Sequence, residues 1–286
     1  MWPVTATGRM TSESMPRLAV IIATYNSAGD IDRCLASLHA APAHVPHEIT
    51  IVDNASSDGT VATVRKTFPN VRVIVAPRNI GFASANNLGI VQTSSDLVLL
   101  LNPDTIVRPG AIDTLVHALD SRPDAAACGP RLVDGQGRAE LSFGAMMNPL
   151  TELRQKCLVR GHARGWPFVA AHVESMTRRP GEPDWVSGAC LCVRRTDAEA
   201  AGLLDERYFL YAEDVDFCAA LRARGRKILF VPAAEVVHAR GQSRSSAPQA
   251  SEQAYRSSQL AFYAKHHPAW LPILRVYLRL RGRHPA

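Results

Sequence analysis

The chain has 286 residues, 47% hydrophobic and 20% charged, with a formal net charge of +6. That length and balance fit a globular protein with a real core in one large domain or one and a half, and no apolar run approaches the roughly 18 residues of a membrane span. The basic excess leaves nucleic acid, a membrane surface and anionic small molecules all open as partners.

The opening stretch, MWPVTATGRMTSESMPR, lacks the apolar centre of a secretory signal and reads as a flexible leader over residues 1–16. LAVIIA (18–23) is a short Val/Ile-rich run, the mark of a buried strand. DIDRCLASLHA places Ile31, Leu35 and Leu38 on one helical face. EITIV (48–52) is a second strand, SSDGTVATVRKTF a second helix, VRVIVA (71–76) a third strand and FASANNLGIVQT a third helix. DLVLLL (96–101) is the fourth strand, and Pro109 opens a helix carrying Ile112, Leu115, Val116 and Leu119. Residues 139–182 have weak periodicity and read either as a mobile loop region or as a small subdomain. After them come a strand over 184–195, a helix over 212–225 ended by Gly225, two short strands (KILFVP and AEVVHA), and an amphipathic helix in SEQAYRSSQLAFYAKHH. In AWLPILRVYLRLRGRHPA the spacing puts Trp270, Leu274, Tyr277 and Leu278 on one face, with Arg275, Arg279 and Arg283 recurring every four residues. Such a helix lies on anionic lipid, or packs on the domain with a solvated basic face.

The six cysteines, Cys34, Cys128, Cys157, Cys190, Cys192 and Cys218, form no C-x-x-C pair, so buried free thiols in a reducing compartment are expected rather than a disulfide framework or metal cluster. The expected location is the cytoplasm, with the last helix a candidate for the inner face of the cell membrane. Strands alternating with helices imply an α/β fold with a mainly parallel sheet covered on both faces. Ligands of such sheets bind beyond the carboxyl ends of the strands. Polar groups recur there: Thr24-Tyr25-Asn26, Asp53-Asn54, Arg78-Asn79 with Gly81, and Asn102-Pro103-Asp104. No G-x-G-x-x-G, P-loop or G-x-S-x-G is present, which disfavours dinucleotide, P-loop NTPase and serine-hydrolase chemistry, and no nucleic-acid motif accompanies the basic charge. Asp104, fixed by Pro103 at the end of a buried strand, either serves as a rigid ligand for a hard divalent cation or caps the turn before Pro109. Glu213, Asp214 and Asp216 crowd one helix start, as a general base or as acids favoured by the helix dipole. His238 follows AEVVH as a second metal ligand or a structural histidine.

Taken together, VIIATYNSAGDIDRCLASL, IVDNASSDGT, NIGFASANNLGI, LLLNPDT, WVSGACLCVRR and FLYAEDVDFCAALRARG resemble the family 2 glycosyltransferases of the GT-A fold. They are similar, more narrowly, to bacterial rhamnosyltransferases of the cell-wall linker and O-antigen type. The resemblance spans roughly residues 17–245. It implies a catalytic domain there, with a nucleotide-sugar half (17–135) and an acceptor half (136–245), followed by C-terminal helices over 246–286. It also implies a nucleotide-diphosphate sugar donor, typically dTDP-L-rhamnose, and a glycan or polyprenyl-linked acceptor, with no role for nucleic acid. By the same resemblance Thr24, Tyr25, Asn26 and Asp53 contact the nucleoside, while Arg78, Asn79 and Gly81 approach the nucleotide and diphosphate. Asn102 stands at the first and Asp104 at the last position of the D-x-D motif; Asp104 and His238 would hold Mg²⁺ or Mn²⁺. Asp214 would be the catalytic base of an inverting transfer, with Trp185, Gly188 and Glu213 on the acceptor side. Arg240 or Arg244 would help offset leaving-group charge. Asn102 and Asn54 replace acids common among relatives, which leaves the donor's base and sugar open. The Q-x-x-R-W sequence of processive synthases is absent, so one sugar per encounter is expected. A sugar-phosphate nucleotidyltransferase and a non-catalytic glycan- or nucleotide-binding relative are the rival readings.

Overall fold

A computed structural model of the protein describes residues 16–239 and 248–282. The leader up to residue 15, Arg240, Arg244 and Arg283 lie outside the described residues. The first half follows the expected alternation: β1 (Leu18–Thr24), α1 (Ile31–Ala40), β2 (His47–Asp53), α2 (Thr60–Thr67), β3 (Arg72–Val75), α3 (Phe82–Val91) and β4 (Leu97–Leu101). Then come β5 (Thr105–Val107), α4 (Ala111–Asp120) and β6 (Ala125–Val133). The remainder consists of β7 (Phe143–Gly144), α5 (Pro149–Ala163), α6 (Pro167–Thr177), β8 (Trp185–Val186), β9 (Cys190–Arg194), α7 (Arg195–Ala200), α8 (Glu213–Ala223), β10 (Lys227–His238), α9 (Pro248–His266) and α10 (Leu271–Leu280).

Eight strands form one sheet in the order β3-β2-β1-β4-β9-β6-β10-β5. The run β3-β2-β1-β4 is parallel, as is β6-β10. β9 runs antiparallel between β4 and β6. Because successive strand residues face opposite ways, Leu18, Val20 and Ile22 of β1 enter a core with α1 and α4. Ala19, Ile21 and Ala23 enter another core with α3 and α8. At roughly 25 cal/mol per Å² of apolar surface removed from water, these two layers are the main source of stability.

Several expectations change. KILFVP and AEVVHA are one strand, β10, which slips register against β6 between Val231 and Glu235 but keeps pairing on both sides of the slip. The 184–195 segment is two strands, because Ser187-Gly188-Ala189 turn between β8 and β9. β5 and β6 carry no strong signal: one has three residues and the other contains Gly129-Pro130, yet all nine residues of β6 are buried. Gly129 is required there, since a Cβ would stand 2.8 Å from the Val186 side chain. Residues 149–177 form the helical hairpin α5–α6, begun by an Asn148/Thr151 capping box. Five cysteines are buried and Cys157 is exposed, all six free.

The C-terminal helices also depart from expectation. On α9, Phe262 and Tyr263 are buried against Tyr208 and Val215. On α10, Leu278 is buried and Leu271 and Leu274 pack on that same cluster, whereas Trp270 and Tyr277 are each 48% exposed. The inward face is therefore shifted around the helix from the one expected. Among the described residues no helix is long and apolar enough to cross a membrane.

Candidate active site

The carboxyl ends of β1 and β2 are held by an internal hydrogen-bond set. Thr24 Oγ1 donates to Asp53 Oδ1 at 2.9 Å, and Ser56 donates to Asp53 twice, from Oγ at 2.6 Å and from its N–H at 2.8 Å. Asp53 is fully buried, so the structure makes it the organiser of both strand ends. Asn26 adopts φ 49° and its Oδ1 accepts from the Ser57 N–H, while the half-exposed Tyr25 stands at the rim. Asn54 Oδ1 accepts from the Ile80 N–H, and Asn79 Oδ1 from the Gly81 N–H. Gly81 has φ +88° and a Cβ there would meet Phe209 O at 2.6 Å. Its lack of a side chain lets the 208–212 segment cross the start of α3.

Asp104 follows β4 by three residues. Its Oδ1 lies 3.3 Å from His238 Nε2, and the Ala239 N–H donates to its backbone carbonyl at 2.8 Å. The antiparallel pairing of β5 with β10, Thr105 opposite His238, brings these distant residues together. His238 Nδ1 lies 3.2 Å from Glu140 Oε2. Burial alone would lower the His238 pKa, but its hydrogen bonds to Asp104 and Glu140 outweigh it and raise the pKa to about 9. Asn102 Oδ1 is buried with no hydrogen-bond partner.

Asp214 occupies the first turn of α8. The Gly188 N–H donates to its Oδ2 at 2.9 Å, and the Val215 N–H to its Oδ1 at 2.8 Å. A Cβ on Gly188 would come within 3.2 Å of Asp214 Cβ. Burial raises the Asp214 pKa, against the pull of these backbone donors. Glu213 is 5% exposed, and its Oε2 has no partner. Burial, then the neighbouring Asp214 charge, push its pKa well up. Tyr211 and Ala212, just before the helix, both have left-handed φ (72° and 67°), a strain that side-chain-bearing residues accept mainly at functional sites.

The segments that carry the two acidic groups are joined through the turn between β8 and β9. The Asn102 N–H donates to Ala189 O at 2.9 Å, and the adjacent Gly188 holds Asp214. Asp104 and Asp214 thus flank one β4–β9 strand end, separated by the Asn102–Ala189 hydrogen bond. Trp185 packs as a core residue between α8 and the C-terminal helices, its Nε1–H donating to Ala145 O at 3.0 Å. Arg78 and Asn79 line a cavity of about 970 Å³ with Asn87, Phe209, Asp216 and Lys265, and neither Asp104, Asp214 nor His238 reaches it.

Asp216, grouped in sequence with Glu213 and Asp214, has a different partner set. It accepts from Lys265 Nζ at 2.8 Å and Tyr208 OH at 3.2 Å, and His266 Nε2 is 2.6 Å from it. It ties α8 to α9. Glu140 sits in a stretch without periodicity, and nothing in its local sequence signals that it meets His238; that contact depends on how residue 140 returns beside β6.

Asp104 and His238 suit a divalent cation in part. Their 3.3 Å separation is close to the roughly 3 Å edge of an octahedron with bonds near 2.1 Å. Among the described residues no group of three or more His, Cys, Asp or Glu is arranged to hold a metal ion. Two protein donors are what a cation shared with a substrate diphosphate needs. Asn102 lies two residues before Asp104, with its side-chain oxygen buried and unpartnered.

Residues 19–175 match the sequence profile of Glycosyl transferase family 2. The chain is 33% identical over 273 residues to an N-acetylglucosaminyl-diphospho-decaprenol L-rhamnosyltransferase of Mycobacterium tuberculosis, covering 88% of this chain and 86% of that protein. It is 23% identical over 239 residues to rhamnosyltransferase WbbL of Escherichia coli, covering 77% and 82% of the two chains. Among solved structures, the mannosyltransferase PcManGT from Pyrobaculum calidifontis in complex with GDP-Man and Mn²⁺ superposes with a TM-score of 0.58 at 19% identity, covering 92% of this chain and 69% of that one. GalNAc-T7 with UDP, GalNAc and Mn²⁺ gives a TM-score of 0.59 at 16% identity, covering 87% and 48%. These likenesses carry the GT-A fold, and with the family match across more than half its length and a relative one-third identical end to end, the chain belongs to glycosyltransferase family 2 as a rhamnosyltransferase-like enzyme.

Proposed function

We propose that this enzyme transfers one L-rhamnose from dTDP-L-rhamnose, with inversion, to a polyprenyl-linked glycan acceptor. The observation that carries it is the placement of Asp104 and Asp214 on either side of the Asn102–Ala189 hydrogen bond. The decaprenol-linked sugar in the name of the Mycobacterium tuberculosis relative supports the acceptor class, and the rhamnosyltransferase relatives support the donor sugar.

In this reading Asp214 is the general base. The Gly188 and Val215 N–H groups fix its carboxylate, and its raised pKa makes it a better proton acceptor than an exposed aspartate. It takes the acceptor hydroxyl proton as that oxygen attacks the anomeric carbon, while the bond to the leaving diphosphate breaks. Glu213 lies on the acceptor side. Asp104, His238 and the free Asn102 oxygen face the donor, and Asp104 with His238 would hold Mg²⁺ or Mn²⁺. When bound, that cation supplies charge to offset the leaving diphosphate. A proton and a cation compete for His238 Nε2, so cation binding there releases a proton. Thr24, Asn26 and Asp53 shape the nucleoside end, and Tyr25 is its exposed face. The resemblance assigns Arg78 and Asn79 to the donor side although they line the neighbouring cavity, and Gly81 sets the entry of α3. On α10, Ile273, Val276 and Leu280 are exposed beside Arg275 and Arg279, which suits an anionic membrane surface.

Product analysis across a panel of dTDP-, UDP- and GDP-sugars with a short polyprenyl-diphosphate-GlcNAc acceptor tests the reading. Transfer from dTDP-L-rhamnose well above the others is expected; preferred transfer from a UDP-hexose overturns the donor, and retention of anomeric configuration overturns the mechanism.

A further inference from the structure

The α5–α6 hairpin keeps apolar groups in solvent that its own packing does not need. Phe168 is 92% exposed, Leu150 78%, Leu153 60% and Trp166 53%. The tip between the helices is Gly165-Trp166-Pro167-Phe168, with Gly165 at φ +69°. Trp166 lies on Gly161, where a Cβ would meet its ring at 3.1 Å, so the indole is fixed in place and still presents its other side outward.

Charge follows the same stripe. Leu150, Leu153 and Cys157 recur at helical spacing on the exposed side of α5. Arg154, Arg160 and Arg164 are exposed among them, and the Arg164 guanidinium sits 6.0 Å from the Trp166 ring centroid. Between Leu153 and His172 there are four Lys or Arg and no Asp or Glu. Lys156 is paired with Glu152 at 3.1 Å, which leaves Arg154, Arg160 and Arg164 as the basic surround of an exposed apolar, aromatic tip, a combination complementary to lipid headgroups over an acyl layer.

The hairpin is also tied to the start of α10. His267 Nε2 lies 2.8 Å from Met147 O, just before α5, and Gln259 donates to Glu152 on α5. Leu271 and Leu274 pack on the cluster that includes Met146 and Met147. The first turns of α5 and α10 are therefore neighbours.

We infer that the α5–α6 hairpin is a membrane-docking element, its Trp166–Phe168 tip entering the interface of an anionic bilayer while Arg154, Arg160 and Arg164 meet the phosphates. This surface is separate from α10 and does not depend on which sugar or acceptor the enzyme uses.

Co-sedimentation of the full chain with phosphatidylglycerol/phosphatidylcholine vesicles, and with phosphatidylcholine alone, tests it. Trp166→Ala/Phe168→Ala is expected to weaken binding to the anionic vesicles at least tenfold. Arg154→Gln/Arg160→Gln/Arg164→Gln should weaken it by about fivefold per arginine and abolish the preference for the anionic lipid. Phe168 and the three arginines are exposed, so circular dichroism should not change, Tm should fall at most slightly where Trp166 leaves Gly161, and donor hydrolysis in solution should be unaffected. Unchanged partition of either variant overturns the proposal, as does loss of binding only in an Ile273→Ser/Leu280→Ser variant of α10. Sedimentation velocity showing a dimer that the tip variant splits, with vesicle binding intact, also overturns it, because the face would then meet a second copy.

Discussion

After β1 and β2 the buried polar groups answer one another, whereas after β4 and at the start of α8 they do not. Asp53 is fully buried and takes hydrogen bonds from Thr24 and Ser56. By contrast Asn102 Oδ1 and Glu213 Oε2 are buried without partners. An unmet buried polar group costs about 1–3 kcal/mol, and such atoms occur elsewhere in the fold too, among them Thr50 Oγ1 on β2 and Arg131 Nε on β6. On the proposed mechanism the first edge serves rigidity and the second chemistry, and substitutions should separate the two.

The largest effect is expected at Asp214. Asp214→Asn removes the base but keeps an oxygen for the Gly188 N–H, so turnover should fall about 10²–10⁴-fold while donor binding by calorimetry persists; near-normal turnover would remove Asp214 from that role. The same group sets the pH profile. Its folded pKa is raised, so kcat/KM should fall off on the acid side at a higher pH than for an ordinary aspartate, and Asp214→Asn should flatten that limb.

Asp53→Asn reads the other edge. The new amide N–H₂ would face hydroxyl and N–H donors, which predicts a loss of about 1–3 kcal/mol in urea unfolding, together with a raised KM for the donor because Asp53 also shapes the nucleoside end. Gly81→Ala should cost a similar amount, about 1–3 kcal/mol, from its left-handed φ and the contact with Phe209, measured the same way.

The smallest effect has the opposite sign. Burial and the neighbouring Asp214 charge hold the Glu213 pKa well above that of an ordinary glutamate, so its neutral form is favoured in the fold. Whatever it contributes is present at low pH and lost as pH rises through the folded pKa. Glu213→Gln cannot ionise and should raise Tm at pH 8 by a few degrees, about 1 kcal/mol, with no gain near pH 4. An equal gain at both pH values would mean that ionisation is not the cause.

The βα units from Leu18 to Leu101 were legible because each strand and helix shows its own periodicity within a few turns. The polar strand ends were legible too, as clusters of turn-forming and acidic types, and the motif set pointed to the family. Residues 139–182 were not: the exposed Leu150, Leu153 and Phe168 blur the apolar stripe that marks a helix. Nor was the split within Glu213, Asp214 and Asp216. A helix turns 100° per residue, so neighbours in sequence aim at different partners: Asp214 at Gly188, Asp216 at Lys265 and His266.

Sequence alone determined the α/β class and the strand ends that carry polar groups, since these depend on residue type and short-range spacing, while the candidate base and cation ligand were named by the resemblance of the motif set to a family. Only the tertiary structure decided that β9 enters the sheet between β4 and β6 and sets Gly188 beside Asp214, that β10 returns His238 to Asp104 and Glu140, and that α9 locks onto Asp216. Those contacts join residues roughly 26 to 134 positions apart in the chain, and strand order across a sheet is set by the packing of whole layers, which no local window contains.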